Sequence, residues 1–157
     1  MKKVFQQNTT PDHGDCMRAV VASLFEDEIE NVPNFIELPL TEWWQEFLNY
    51  HNDRGYTFHG MRYNPNIFTN NPEQVSLEEI KSSEGINGFF FATVFSPKYN
   101  QDGEFNGVLH AVVIDKDFNI VHDPNPEYKD LKEYPKHDKY NGILYVKLFE
   151  KDRYESV

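Results

Sequence analysis

At 157 residues and a formal charge of −11, the chain is long enough for one domain with a real core, too short for two, and poorly suited to gripping a long nucleic acid by its phosphates. Its 39% hydrophobic and 15% aromatic content excludes a disordered chain, and the lack of any run of about 18 apolar residues excludes a membrane-spanning helix. Met1-Lys2-Lys3 leads into Val4-Phe5-Gln6-Gln7 with no signal-peptide core, so a soluble cytoplasmic protein is expected, folded as a single domain over 1–157.

The turn-rich stretch Asn8-Thr9-Thr10-Pro11-Asp12-His13-Gly14 reads as a surface loop, and Asp15 is a good N-cap for an apolar helix from Cys16 to Phe25. Asn31-Val32-Pro33-Asn34-Phe35 ends this first helical unit. Thr41 can cap a second helix, Glu42 to Arg54, whose Trp43, Trp44, Phe47, Leu48 and His51 form a core-facing stripe and whose stop is Gly55. Tyr56 to Met61 alternates as a strand does, Asn64 to Gln74 is a Pro/Asn-rich loop, and Ser76-Leu77-Glu78-Glu79 opens a short helix with capping-box spacing. Strands follow at Gly88–Phe95, Val108–Ile114, Asn119–His122 and Gly142–Phe149. The polar segments Ser96 to Gly107 and Pro124 to Asn141 are candidate gates over a pocket. The fold class is α+β, with N-terminal helices packed on an antiparallel β-sheet.

Cys16 is the only cysteine, which rules out an intramolecular disulfide and a Cys-rich zinc site. A lone cysteine commonly serves as a small buried hydrophobe. Here it opens a helix, where unsatisfied backbone N–H groups and the positive end of the helix dipole stabilise a thiolate and can hold an oxyanion beside it. His110 heads the apolar run His110-Ala111-Val112-Val113-Ile114, where an imidazole needs a partner, and Asp123 ends Asn119-Ile120-Val121-His122-Asp123. If Lys116-Asp117 forms a two-residue hairpin turn, Asp123 falls opposite His110, close enough to orient the ring, and His122 points to the other face. Cys16, His110 and Asp123 thereby become candidates for nucleophile, base and orienter.

The order of a cysteine opening a helix, a histidine on a later strand and an acidic residue on the next resembles the papain-like cysteine hydrolase superfamily. Gln7, the stretch from Gly14 to Phe25, Asn31 to Phe35, His110-Ala111-Val112-Val113 and His122-Asp123-Pro124-Asn125-Pro126 are similar to motifs of its small phage and bacterial members. The resemblance covers most of the chain and is loose from about Leu40 to Glu84. It implies a papain-like fold and a metal-independent Cys16/His110/Asp123 site without cofactor. Gln7 is then the oxyanion-hole side chain beside the Cys16 backbone N–H, with Gln6 an equally suitable amide. It also implies phage counter-defence, the degradation of a small nucleotide signal such as a cyclic dinucleotide, for which Arg18, Arg54, Arg62 and Lys98 are candidate phosphate contacts. Two other readings stand beside it: a cysteine peptidase or amidase acting on a peptide or isopeptide bond, and a non-enzymatic binding protein on the same fold. His13 and Cys16 have the spacing of two zinc ligands, but no paired motif completes four positions.

Overall fold

The computed structural model of the protein describes residues 1–10, 13–64, 77–98, 108–135 and 140–152. Three α-helices and five strands lie among them: α1 (Cys16–Leu24), α2 (Leu40–Asn52), β1 (Tyr56–Tyr63), α3 (Leu77–Ser82), β2 (Phe90–Phe95), β3 (Leu109–Ile114), β4 (Ile120–His122) and β5 (Ile143–Lys151). The strands form one antiparallel sheet in the order β1-β5-β2-β3-β4. No helix among the described residues is long and apolar enough to cross a membrane.

All six residues of β2 are buried, because both faces of the sheet carry a core. The period of two along the strand sends Phe91 to one side, with Ala111, Val113 and Phe149, against Val20, Val21 and Leu24 of α1 and Phe47 of α2. Phe90, Ala92 and Val94 go to the other, with Val112, Ile114, Val146 and Leu148, under Ile80 of α3, Phe118 and Tyr134. The aromatic stripe of α2 is core, as its spacing predicts. Phe47 is fully buried, stacks on Trp44 and meets Phe35, Phe91 and Phe149. His51 stacks on the Phe149 ring at 3.7 Å, and burial holds its imidazole down at about 4.

Two local expectations are corrected. The second helix starts and ends two residues earlier than predicted, because Pro39, with φ of −53°, occupies the capping position in place of Thr41. The β3–β4 turn is longer than the pair Lys116-Asp117: Asp115 N–H donates to Asn119 O, and Phe118 adopts φ of 64°. Lys-Asp suits a primed two-residue turn badly. The longer loop lets Phe118 bury its ring in the lower core while the Asp115 carboxylate accepts from Asp117 and Asn119 N–H. The register becomes Val113 opposite His122 and Ile114 opposite Ile120, so His110 and Asp123 are not a ladder pair. The predicted loop Asn64 to Gln74 beyond Asn64, and the candidate gate Ser96 to Gly107 between Lys98 and Val108, lie outside the described residues.

Because Phe47 joins α2 to three other elements, Phe47→Ala is expected to lower unfolding free energy by about 3–5 kcal/mol, read as a shifted midpoint in urea denaturation. Replacement of Trp43, which is only half-buried, is expected to cost less.

Candidate active site

Cys16 is the first residue of α1, and the residue before it determines what the helix start can do. Asp15 occupies the N-cap position but makes no capping hydrogen bond with its side chain. Its buried carboxylate accepts instead from the backbone N–H groups of Gln7 at 3.1 Å and Asn8 at 3.0 Å, while its own N–H donates to Asn8 O. The predicted cap is thus an anchor that folds the N-terminal segment against the helix. Gly14 is needed there, since a Cβ would stand 2.6 Å from Thr10 O. The first-turn donors of α1 are left for other use, and the N–H groups of Met17 and of Ala111 on β3 favour a charged sulfur at Cys16.

His110, 7% exposed, joins Cys16 in lining a cleft of about 230 Å³. Its Nε2–H donates to Asp123 Oδ1 at 2.7 Å, which leaves Nδ1 as the nitrogen for the thiol. Asp123 is itself held: Oδ1 also accepts from Asn125 N–H at 2.8 Å, and Oδ2 from the Tyr134 hydroxyl. Asn125 caps the short 3₁₀ turn Pro126–Tyr128 by accepting from Glu127 N–H, and the Tyr128 ring meets His110 edge-on at 6.2 Å. Three separate segments therefore converge on one buried carboxylate, as its desolvation requires.

The electrostatics follow from this enclosure. Burial alone pushes the Cys16 thiol up, but hydrogen bonding to His110, the imidazolium charge and the Ala111 and Met17 N–H groups outweigh it, and the thiol lies below its ordinary 9.0. Burial pulls His110 down, yet its bonds to Asp123 and Cys16 prevail and raise it to about 10. Burial and the Asp123 charge hold the Tyr134 phenol well above its usual range, so it remains a donor to the carboxylate. Each group thus favours the charged form of the other, thiolate beside imidazolium.

Of the other expected site residues, Lys98 and the alternative amide Gln6 line this cleft. Gln7 is exposed and lies outside the lining, engaged through its backbone N–H with Asp15. Gln6 lines the cleft in its place: its N–H donates to Pro124 O, and its Nε2 donates one hydrogen to Asn8 O at 3.0 Å, leaving the second without a partner among the described residues. The extended N-terminal segment alternates its side chains, so the single-residue step from Gln7 to Gln6 decides which amide faces the cysteine. Arg18 donates to Val32 O at 2.6 Å and lies 3.9 Å from Asp15, tying α1 to the following loop. Arg54 pairs with Asp27 at 3.0 Å. Arg62 is on β1, at the sheet edge opposite β4, where it meets Glu79 at 3.4 Å. His13 is exposed, and no group of three or more His, Cys, Asp or Glu among the described residues is arranged to hold a metal ion.

Tyr134, Asn125 and Lys147 were not anticipated. Tyr134 sits in a charged, proline-punctuated segment that carries no sequence signal for it. Lys147 does carry one, a lone cation inside the apolar run of β5. Its buried ammonium lies 4.5 Å from the Phe91 ring and 4.7 Å from that of Tyr145, and burial pulls it down to about 8 against the opposing charge of Cys16.

With Cys16 depressed and His110 raised, the thiolate persists as pH falls below the free-thiol range. The rate of Cys16 alkylation by iodoacetamide, followed by intact mass, is therefore expected to change less than about threefold between about pH 7 and 9. In His110→Ala it should climb about tenfold per pH unit towards a free-thiol value near 8.5; the same climb in the native protein would contradict the ion pair. No family model, curated protein or solved structure matches the chain, so the functional reading stands on the geometry of the site itself.

Proposed function

We propose that the protein is a cysteine hydrolase of papain-like architecture acting on an acyl bond, with Cys16 as nucleophile, His110 as acid and base, and Asp123 as the positioning residue for His110. The observation that carries this reading is the 2.7 Å bond from His110 Nε2 to the buried, multiply bonded Asp123 carboxylate, with the depressed Cys16 thiol beside the same imidazole. The Cys16 thiolate adds to the carbonyl carbon, and the carbonyl π electrons move to oxygen. Backbone N–H at the start of α1 and the second N–H of the Gln6 amide are the donors available to that oxyanion. Collapse expels the leaving amine or alcohol, which takes the proton from His110. The neutral imidazole then removes a proton from water, whose oxygen attacks the thioester, and acid is released as the thiolate and imidazolium are restored.

The order helix-borne cysteine, strand-borne histidine, then an acidic residue just past the next strand supports the papain-like assignment. An acyl substrate is favoured over a phosphodiester because the cleft offers donors for one oxyanion, and of the lysines and arginines among the described residues it is lined by Lys98 alone; Arg18, Arg54 and Arg62 bond to groups away from it. Lys98 also supports a second reading, in which the same residues open a small cyclic nucleotide as part of a phage counter-defence.

The test is a panel of peptidyl and aminoacyl coumarin amides and thioesters beside cyclic di- and trinucleotides, assayed with wild type and variants. Turnover of an acyl substrate is expected, with Cys16→Ala inactive and Asp123→Asn slowed by about a hundredfold or more. Gln6→Ala is expected to lower kcat by about 10²–10³, and Gln7→Ala by less than about threefold. Consumption of a cyclic nucleotide with every acyl compound intact would transfer the site to the second reading. Full biological activity in Cys16→Ala would end both.

A further inference from the structure

A second cleft, of about 260 Å³, lies beside the first, and Tyr128 borders both. Its lining carries Lys3, Lys129 and Lys132, and Asp123 is its one acidic residue. That carboxylate is already matched by His110, so the cleft has a net positive field in a chain of charge −11. None of the three lysines is paired with a carboxylate among the described residues.

The segment from Glu127 to Tyr134 sorts its residues by sign. Tyr128, Lys129, Leu131, Lys132 and Tyr134 line the cleft, while Glu127, Asp130 and Glu133, interleaved every third residue, do not. A merely solvated surface segment has no reason to separate the charges this way, since neighbouring opposite charges would pair. Phe5, 37% exposed, and Tyr128 add aromatic surface to the same lining. Cations with aromatic faces suit an anion that carries a flat ring. The volume, just under the roughly 300 Å³ where ligand pockets begin, suits a small molecule and not a polymer.

We propose that this cleft binds a nucleoside phosphate, with Lys3, Lys129 and Lys132 holding the phosphates and Phe5 and Tyr128 taking the base. The site is distinct from the Cys16 cleft and goes beyond the hydrolase reading, since binding here requires no turnover.

The experiment is isothermal titration calorimetry of the full chain carrying Cys16→Ser with ADP, GDP, CDP and UDP, alongside inorganic pyrophosphate. Binding of at least one nucleotide is expected, tighter than pyrophosphate and weakening as salt rises. Lys129→Ala/Lys132→Ala should weaken it at least about tenfold. Lys81→Ala/Lys151→Ala, which removes the same charge from elsewhere on the surface, should leave it within about twofold. Circular dichroism of both double variants checks that they fold. The proposal is overturned if no nucleotide binds to millimolar concentration, if pyrophosphate binds as tightly as every nucleotide, or if the two double variants lose affinity equally.

Discussion

A carboxylate removed from water must be satisfied on every lone pair that matters, and the Asp123 carboxylate imposes that demand on much of the sheet edge. An imidazole from β3, a backbone N–H two residues on and a phenol from the distant Tyr134 all turn towards it. None of these is a ladder contact. The short β4 ends at His122, just before the aspartate, because continued pairing would carry the carboxylate along the strand instead of leaving it free to gather donors. The chemistry attributed to Cys16 is thus downstream of a solvation problem, for His110 is oriented and charged by the group that cannot remain bare.

Asp15 solves the same problem on the other side of the cleft, with backbone partners. By accepting from Gln7 and Asn8 it folds the N-terminal segment over the start of α1, and it withholds a cap that would otherwise compete for the first-turn donors. His122 continues the clamp through Val4 O, and Ser23 completes it by accepting from Val4 N–H. The segment bearing Gln6 is consequently fixed at its two ends, by the sheet and by the helix.

Cys16, His110 and Asp123 were legible because each breaks a local pattern: a thiol at a loop-to-helix junction, an imidazole heading an apolar run, and a carboxylate ending one. Their meeting was legible only as a neighbourhood. The register depended on Phe118 taking a left-handed backbone, a choice made by the lower core and invisible in Lys116-Asp117. Gln6 and Gln7 are chemically identical, and a carboxylate eight residues on from Gln7 selects between them. Arg18, Arg54 and Arg62 are candidate phosphate contacts by sequence because a sequence shows charge but not the carbonyl or carboxylate that claims it. The antiparallel sheet and the helical stripe of α2 emerged from periodicity, whereas α2's exact ends did not, since Pro39 starts a helix as readily as a threonine hydroxyl caps one.

The position of β5 has a consequence for how the molecule comes into being. It is the last strand in the chain order yet lies between β1 and β2, so it is the piece that joins the half of the sheet carrying α2 to the half carrying Cys16. On a ribosome, β1 is made early and has no partner until some eighty residues later β5 emerges. Lys147, which sits among the rings of Phe91 and Tyr145, arrives with it. Assembly of the sheet is therefore dominated by contacts distant in sequence, the class of topology that folds slowly and exposes strand edges meanwhile. The nascent chain holds Cys16 long before it holds the strand that completes its surroundings, a delay that leaves the thiol without its folded environment during synthesis.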